Sequence, residues 1–165
     1  MKASPVIGPT AAAAYGEPLM PAPHTPAELT ALMGLLTQSE APIETVVIGH
    51  GRDSASVGAA AAFAAAWRAR GGHVLDTVDW PESAASWLRP ARRLTRQTPD
   101  AWVVAGAVLG WAQMSRRLRH STDWDAARTF AFASLNDSRL PALAGPRVLD
   151  GLRGATANGG TWEIS

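Results

Sequence analysis

From Pro42 onward, short apolar segments rich in β-branched and aromatic residues alternate with longer segments of helical periodicity. The apolar segments predict strands at 45–49, 73–78, 101–105, 129–133 and 152–157. The segments between them predict helices at about 54–70, 84–97, 108–120 and 138–143, each with apolar residues on one face. Strands that alternate with helices in this way form parallel βαβ units. The alternation therefore predicts an α/β fold with a single doubly wound, mainly parallel sheet and helices on both faces.

The first 41 residues differ in composition from the rest. Seven of the twelve prolines lie in this segment or directly after it, and such a density disfavours regular structure. One helix is predicted there, at 26–38, because Thr25 can act as its N-cap and Glu28 completes a capping box. We therefore divide the chain into a Pro-rich arm with one helix, 1–41, and an α/β lobe, 42–165.

Composition excludes several classes of function. The 165 residues include 15 basic and 14 acidic side chains, and a formal charge of +1 does not favour nucleic acid or an anionic membrane as a partner. The absence of cysteine excludes disulfides, Cys-based zinc sites and thiol catalysis.

No segment has the length of a membrane span or of a secretory signal. The longest apolar candidate near the start is 11–14, shorter than the roughly 7–15 residues that a signal core needs. The expected location is cytoplasmic, or periplasmic if the chain is a processed form.

The fold class predicts that a ligand would bind at one edge of the sheet. Right-handed crossovers place the strand-to-helix loops 50–54, 79–83, 105–108 and 134–138 at the carboxyl edge. Ligands of open α/β sheets bind at that edge.

The most suggestive string at this edge is Gly49-His50-Gly51-Arg52-Asp53-Ser54. Two glycines, a cation and a helix-capping acid after a strand can form an anion-binding nest. The same residues also suit a plain tight turn followed by a capped helix. The string lacks the Gly-Lys-Ser/Thr ending of a P-loop and the third glycine of the dinucleotide fingerprint.

No catalytic residues, metal site or cofactor are predicted. The histidines His24, His50, His73 and His120 lack metal-ligand spacing, and no Gly-x-Ser-x-Gly nucleophile motif occurs. The edge carboxylates Asp53, Asp79, Glu82 and Asp137 lie on different loops. Two of them could meet as an acid–base pair, but capping and solvated turns are the simpler roles.

The clustered basic residues and the tryptophans each allow two interpretations. The basic clusters Arg89, Arg92, Arg93, Arg96 and Arg116, Arg117, Arg119, His120 form either one basic patch or two solvated helix faces. The seven tryptophans either fill the core or line a contact face.

Between about 42 and 160 the chain resembles the carboxy-terminal lobe of type I periplasmic binding proteins, the branched-chain amino-acid-binding type that serves ABC transporters. The strings that carry the resemblance are 46–53 (VVIGHGRD), 63–74 (FAAAWRARGGHV), 98–106 (TPDAWVVAG), 140–145 (LPALAG) and 151–154 (GLRG). In the arm, 6–9 (VIGP) and 16–21 (GEPLMP) resemble strand-and-turn remnants of the other lobe.

This resemblance implies a ligand site at the carboxyl edge, but the chain departs from the family in its number of lobes and in the turn after the first strand, where Asp53-Ser54 stands in place of the family's tyrosine and glycine. Family members have two lobes with the ligand between them, and here the amino-terminal lobe is almost absent. The contacts implied by position on the edge are Arg52, Asp53, Ser54, Gly106, Ser134 and Asn136. Arg52 would hold a ligand carboxylate and Asp53 a ligand ammonium group.

Three functions remain open at this stage. The first is a non-catalytic lobe that binds a small, amino-acid-like polar ligand. The second is a degenerate lobe that acts as an interaction or assembly subunit, as a homo-oligomer or within a larger complex. The third is a small α/β enzyme that uses the turn from Gly51 to Ser54.

Overall fold

The computed structural model describes residues 6–16 and 19–165. The helices are α1 (Pro9–Tyr15), α2 (Pro26–Thr37), α3 (Ser54–Ala69), α4 (Leu88–Thr95), α5 (Val108–Ser121) and α6 (Leu140–Ala144). The strands are β1 (Thr45–Gly51), β2 (His73–Trp80), β3 (Ala101–Ala105), β4 (Thr129–Ala131), β5 (Arg153–Ala155) and β6 (Thr161–Glu163).

The strands form one six-stranded sheet in the order β2-β1-β3-β4-β5-β6. Neighbouring strands are parallel from β2 to β5, and only β6 runs antiparallel, against β5. The order reverses between β1 and β3, so helices cover both faces of the sheet. The predicted doubly wound α/β fold is confirmed.

Each face of the sheet has its own apolar core. On one face, α2 and α3 pack Leu32, Phe63 and Trp67 against the strands. On the other face, α4, α5 and α6 pack residues such as Leu94 and Trp111 against the alternate side chains of the same strands. Burial on both faces explains why β3 is a continuous apolar run without alternation.

The tryptophans belong to the core. Six of the seven are no more than 4% exposed: Trp67, Trp80, Trp87, Trp102, Trp111 and Trp124. Trp162 is half-buried on β6. The interpretation of the tryptophans as a contact face is therefore wrong, because their apolar area is already covered from within.

The predicted helix ends agree with the structure where a side chain defines them. Thr25 and Glu28 form the capping box of α2, and the Asp53 carboxylate accepts a hydrogen bond from Ser56 N at 3.0 Å to cap α3. Gly71, with a φ of +90°, follows α3 and allows the chain to turn into β2.

Other boundaries differ from the predictions. Helix α4 begins at Leu88 and not near 84, which places Pro90 in its first turn, where no intrahelical donor is lost. Strand β4 ends at Ala131, and a 3-10 turn (Ala133–Leu135) replaces the predicted end of that strand. Strand β6 was not predicted, because three residues are too few to show a period.

The described residues of the arm, 6–16 and 19–41, contain two helices and not one. The resemblance of 6–9 to a strand is not reflected in the structure, where Pro9 instead occupies the first position of α1. Glu17 and Pro18, from the second arm string, lie outside the described residues. Within the two described ranges, no helix combines the length and apolar character needed to cross a bilayer.

Candidate functional site

The carboxyl edge of the sheet is built as the topology requires, but the arm covers much of it. The loops after β1, β2, β3 and β4 lie side by side there, since these strands are parallel neighbours. Residues 21–24 line a cavity together with the loop after β4, and the segment around α1 contacts Gln113 of α5 and Arg139. The edge is therefore a partly covered surface and not an open cleft.

Three of the six predicted contacts lie in the loop after β1, and two of them have structural partners. The Arg52 guanidinium forms an exposed ion pair with Asp79 at 3.2 Å. The Asp53 carboxylate is occupied by its capping hydrogen bond to α3. Ser54 is exposed at the first position of α3.

The other three predicted contacts come from the loops after β3 and β4. Ser134 donates a hydrogen bond from Oγ to the Gly106 carbonyl oxygen at 2.7 Å, which joins the two loops. A Cβ built on Gly51 would lie only 3.7 Å from the Gly106 Cα, so the first and third loops also meet closely. Asn136 is exposed beyond the 3-10 turn.

A cavity of about 160 Å³ lies at this edge, and we call it the edge cavity. It is lined by Pro21, Ala22, Pro23, His24, Glu28, Ala55, Ser56, Ala59, Ala105, Phe132, Ala133, Ser134 and Ala157. The first turn of α3 and the loop after β4 form its walls, and the arm closes it. Of the six predicted contacts only Ser134 lines it.

Ser56 brings a buried hydroxyl to the lining of the edge cavity. The residue is 2% exposed, and its Oγ makes no hydrogen bond within the described part of the chain. A buried hydroxyl without a partner costs about 1–3 kcal/mol, so a structure that keeps one calls for an explanation.

Glu28 places a carboxylate in the same wall. The residue is 3% exposed, and its Oε2 accepts a hydrogen bond from Ala133 N at 2.9 Å. Its Oε1 accepts one from Thr25 N at 3.4 Å. Since each carboxylate oxygen has two lone pairs, the group can still accept hydrogen bonds from a ligand. His24 packs edge-on against Phe132 on the opposite part of the lining.

A second carboxylate lies at the carboxyl edge, over the start of α5. Glu82 is an exposed residue, but its Oε2 accepts a hydrogen bond from Gly110 N at 2.9 Å, in the first turn of that helix. Desolvation of the carboxyl group raises the pKa of Glu82, the hydrogen bond lowers it, and the negative charge of Asp53 adds to the rise. Glu82 thus takes the place of a capping side chain, which the N-cap residue Ala107 lacks.

Helix α1 is held at the edge by specific contacts. The Arg139 guanidinium lies 4.1 Å from the centre of the Tyr15 ring and donates a hydrogen bond to the Tyr15 carbonyl oxygen at 3.3 Å. Asp137 fixes Arg139 through two hydrogen bonds of 2.9 and 2.7 Å. Ile7 N donates to Gln113 Oε1 at 3.0 Å. Burial raises the pKa of the Tyr15 hydroxyl.

Sequence reasoning missed Ser56, His24 and Glu28 as lining residues. Ser56 could have been found, because it stands three residues after the Asp53 cap and faces the sheet together with Ala59 and Ala60. His24 and Glu28 could not have been found, because the local sequence pattern of the arm does not indicate which part of the lobe the arm packs against.

The described residues contain no cluster of three or more metal-ligating side chains. His73 lies at the amino end of β2, on the edge opposite the site, as predicted.

Neither a protein-family model nor a curated protein matches the sequence, whereas solved structures do. An extracellular ligand-binding receptor from Rhodopseudomonas palustris superposes with a TM-score of 0.65 at 16% identity, over 83% of this chain and 36% of that one. A branched-chain amino acid ABC transporter periplasmic ligand-binding protein from Burkholderia xenovorans superposes with a TM-score of 0.62 at 14% identity, over 78% of this chain and 33% of that one. The leucine-binding protein from Thermotoga maritima superposes with a TM-score of 0.61 at 20% identity, over 74% of this chain and 34% of that one.

These similarities establish the fold. The chain has the fold of one lobe of a periplasmic binding protein, and it spans about a third of the length of the solved structures that it matches. The neighbours are named as binding proteins and not as enzymes.

Proposed function

We propose that this lobe is a non-catalytic binding module that holds a small, amino-acid-like polar ligand in the edge cavity. The observation that carries the proposal is the buried hydroxyl of Ser56, which lines a cavity at the carboxyl edge and has no hydrogen-bond partner among the described residues. That edge is where open α/β sheets bind their ligands. A ligand that hydrogen-bonds to Ser56 Oγ would remove the penalty for burying it.

The lining suits a zwitterion. In the first turn of α3 the Ser56 N–H is capped by Asp53, whereas Ala55, which also lines the cavity, has a backbone N–H without an intrahelical partner, and this N–H favours a carboxylate there. The Glu28 carboxylate, which is part of the same lining, favours an ammonium group. The edge cavity of about 160 Å³ limits the ligand to a few heavy atoms beyond these two groups.

This assignment shifts the site from the positions that the sequence indicated. We propose that Ser56, Glu28 and Ser134 contact the ligand. Arg52 and Asp53 stabilise the loop after β1, since each already has a partner. The same partners occupy Arg52 and Asp53, the two charged side chains of the turn on which the enzyme hypothesis depends.

Native mass spectrometry of the purified protein followed by a thermal-shift screen of the twenty amino acids tests the proposal. A bound ligand at 100 times its Kd stabilises the folded state by about 2.7 kcal/mol. For a chain of this size that corresponds to a rise in Tm of roughly 5–10 °C. Retained small-molecule mass on the protein, or such a rise with one amino acid, supports the binding module.

Two serine variants locate the site. Ser56→Ala is expected to leave the ligand-free Tm unchanged or raised, because it removes an unsatisfied buried group, and to abolish the ligand-induced rise. Ser54→Ala is the matched control, since Ser54 is next in the chain to the cavity wall but does not line it. Equal loss of the ligand response in both variants would contradict the assignment of the edge cavity.

A second candidate function has one observation in its favour. Leu19 and Met20 are 69% and 74% exposed, directly before the arm residues that close the edge cavity. Adjacent exposed apolar side chains suit a protein interface, which is the function expected of a lobe that assembles with another chain. A ligand-free oligomer in native mass spectrometry, reduced to a monomer by Leu19→Ser with Met20→Ser, would favour this function over ligand binding.

A further inference from the structure

A large groove lies on the side of the sheet opposite the edge cavity. It has a volume of about 710 Å³ and lies where α4 and α5 end and β3 and β4 begin. We call it the amino-edge groove. Its charged lining residues are Arg92, Arg96, Arg119, His120, Arg128 and Asp123. Five of these six carry or can carry a positive charge, so the two basic clusters of the sequence meet in one place.

The groove continues along the outer face of α4. A second concavity of about 660 Å³ is lined by Arg89 and Arg93 and shares Arg92 and Arg96 with the first. Arg89, Arg92 and Arg96 stand at positions i, i+3 and i+7, so they form one stripe on the helix. At about 1.5 Å per residue this stripe is roughly 10 Å long. The positive surface is thus elongated.

Much of this charge is not neutralised by the protein. Arg93 and Arg96 pair with Asp76 at 3.0 and 3.8 Å, and Arg128 pairs with Asp125 at 3.5 Å. Across residues 6–16 and 19–165, the structure gives three other side chains no hydrogen bond or ion pair: Arg89, Arg92 and Arg119. The formal net charge of the whole chain is only +1, so the positive charge is concentrated on this side.

The type of cation narrows the chemistry of the partner. Lys2 is the only lysine among the 15 basic residues, so every cation of the groove except His120 is an arginine. The planar guanidinium binds carboxylates and phosphates through two parallel hydrogen bonds. The occupant is therefore an anion with charges distributed along its length.

Among such anions, the lining favours a polypeptide over a nucleic acid. The one tryptophan of the groove, Trp102, is 3% exposed, so it offers no face on which a base could stack. Asp123 and the carboxyl ends of two helices repel anions at points along the groove, so the groove suits negative charges that are spaced apart better than a continuous phosphate backbone. A concave groove also fits a chain segment better than the surface of a bilayer.

We propose that the amino-edge groove docks an acidic segment of a partner protein. The groove and the edge cavity lie at opposite edges of the sheet, so docking leaves the proposed ligand site accessible. The inference stands on the geometry and charge of α4 and α5 and does not depend on ligand binding.

The test measures binding of a fluorescein-labelled twelve-residue peptide of alternating Glu and Ala by anisotropy, with a Gln and Ala peptide as control. The full chain is expected to bind the Glu peptide, more weakly as salt increases, and not the Gln peptide. Arg92→Glu with Arg119→Glu should weaken binding about tenfold or more. The matched control is Arg68→Glu with Arg147→Glu, which changes the net charge equally outside the groove and should weaken binding less than about threefold.

The opposing outcomes are distinct. Equal weakening by both pairs, with both variants folded by circular dichroism, would overturn the groove as the site. A twelve-residue oligothymidine or a vesicle of phosphatidylglycerol that binds more tightly than the Glu peptide would overturn the polypeptide as the occupant. Absence of any binding at low salt would overturn the proposal as a whole.

Discussion

Replacement of Glu28 by alanine tests how the arm is attached to the lobe. The Glu28 carboxylate is buried and accepts hydrogen bonds from Ala133 N and Thr25 N, so it joins α2 to the loop after β4. Loss of a hydrogen bond to a charged acceptor costs about 1.5–3 kcal/mol, and loss of half of a capping box adds about 0.5–1 kcal/mol. We therefore expect Glu28→Ala to lower the free energy of unfolding by about 2–4 kcal/mol.

The assay is urea unfolding followed by circular dichroism at 222 nm. Glu28→Gln keeps one acceptor oxygen and should cost about half as much, while Glu40→Ala, at an exposed glutamate after α2, should change the free energy by no more than about 0.5 kcal/mol. At roughly 2–4 °C per kcal/mol, the Tm of Glu28→Ala should fall by about 5–15 °C. A loss below about 1 kcal/mol would refute the reasoning, because the two hydrogen bonds would then contribute little.

Two other sets of changes have a defined direction. Gly58→Ala should stabilise by about 0.5–1 kcal/mol, because a Cβ in the middle of α3 meets no atom within 4 Å. Gly154→Ala should destabilise the protein by about 2 kcal/mol or more, because the added Cβ would overlap the Ala131 carbonyl oxygen in the sheet. Urea unfolding midpoints measure the effect of both glycine variants. Equal effects of the two would contradict the packing described around Gly58 and Gly154. Backbone hydrogen bonds from the start of β1 hold the pKa of Asp100 below its usual range. The stability that Asp100 contributes is therefore present above about pH 4 and lost as pH falls through its folded pKa. Asp100→Asn should lower the urea midpoint at pH 7, and the difference from the unchanged protein should shrink progressively as the pH is lowered below about 4.

The fold could be predicted from the sequence because its signals are local. Thr25 and Asp53 mark helix starts through their own side chains, and Gly71 marks a helix end through its backbone. The apolar segment of β3 shows burial on both faces without reference to any other segment.

The site could be predicted only in part, because its chemistry depends on contacts between distant segments. The topology placed Gly106 and Ser134 at the same edge, and they do form a hydrogen bond there. The role of Ser56 depends on the cavity that it lines, and the role of Glu28 depends on where the arm packs against the lobe; the sequence pattern shows neither. The ligand contacts expected from the sequence remain predictions: Arg52, Asp53, Ser54, Gly106, Ser134 and Asn136.

The attachment of the arm also has a consequence for synthesis and folding order. Its hydrogen bonds join residues 105, 106, 124 and 132 positions apart in the chain. At about 5–20 residues per second, a ribosome would complete the docking sites roughly 5–25 s after the arm itself. Contacts of such long range form after local ones, so the arm, which is made first, is expected to dock last. Until then the carboxyl edge is uncovered in a lobe whose own βαβ units have already folded, and a ligand or a second chain meets it most readily during that interval.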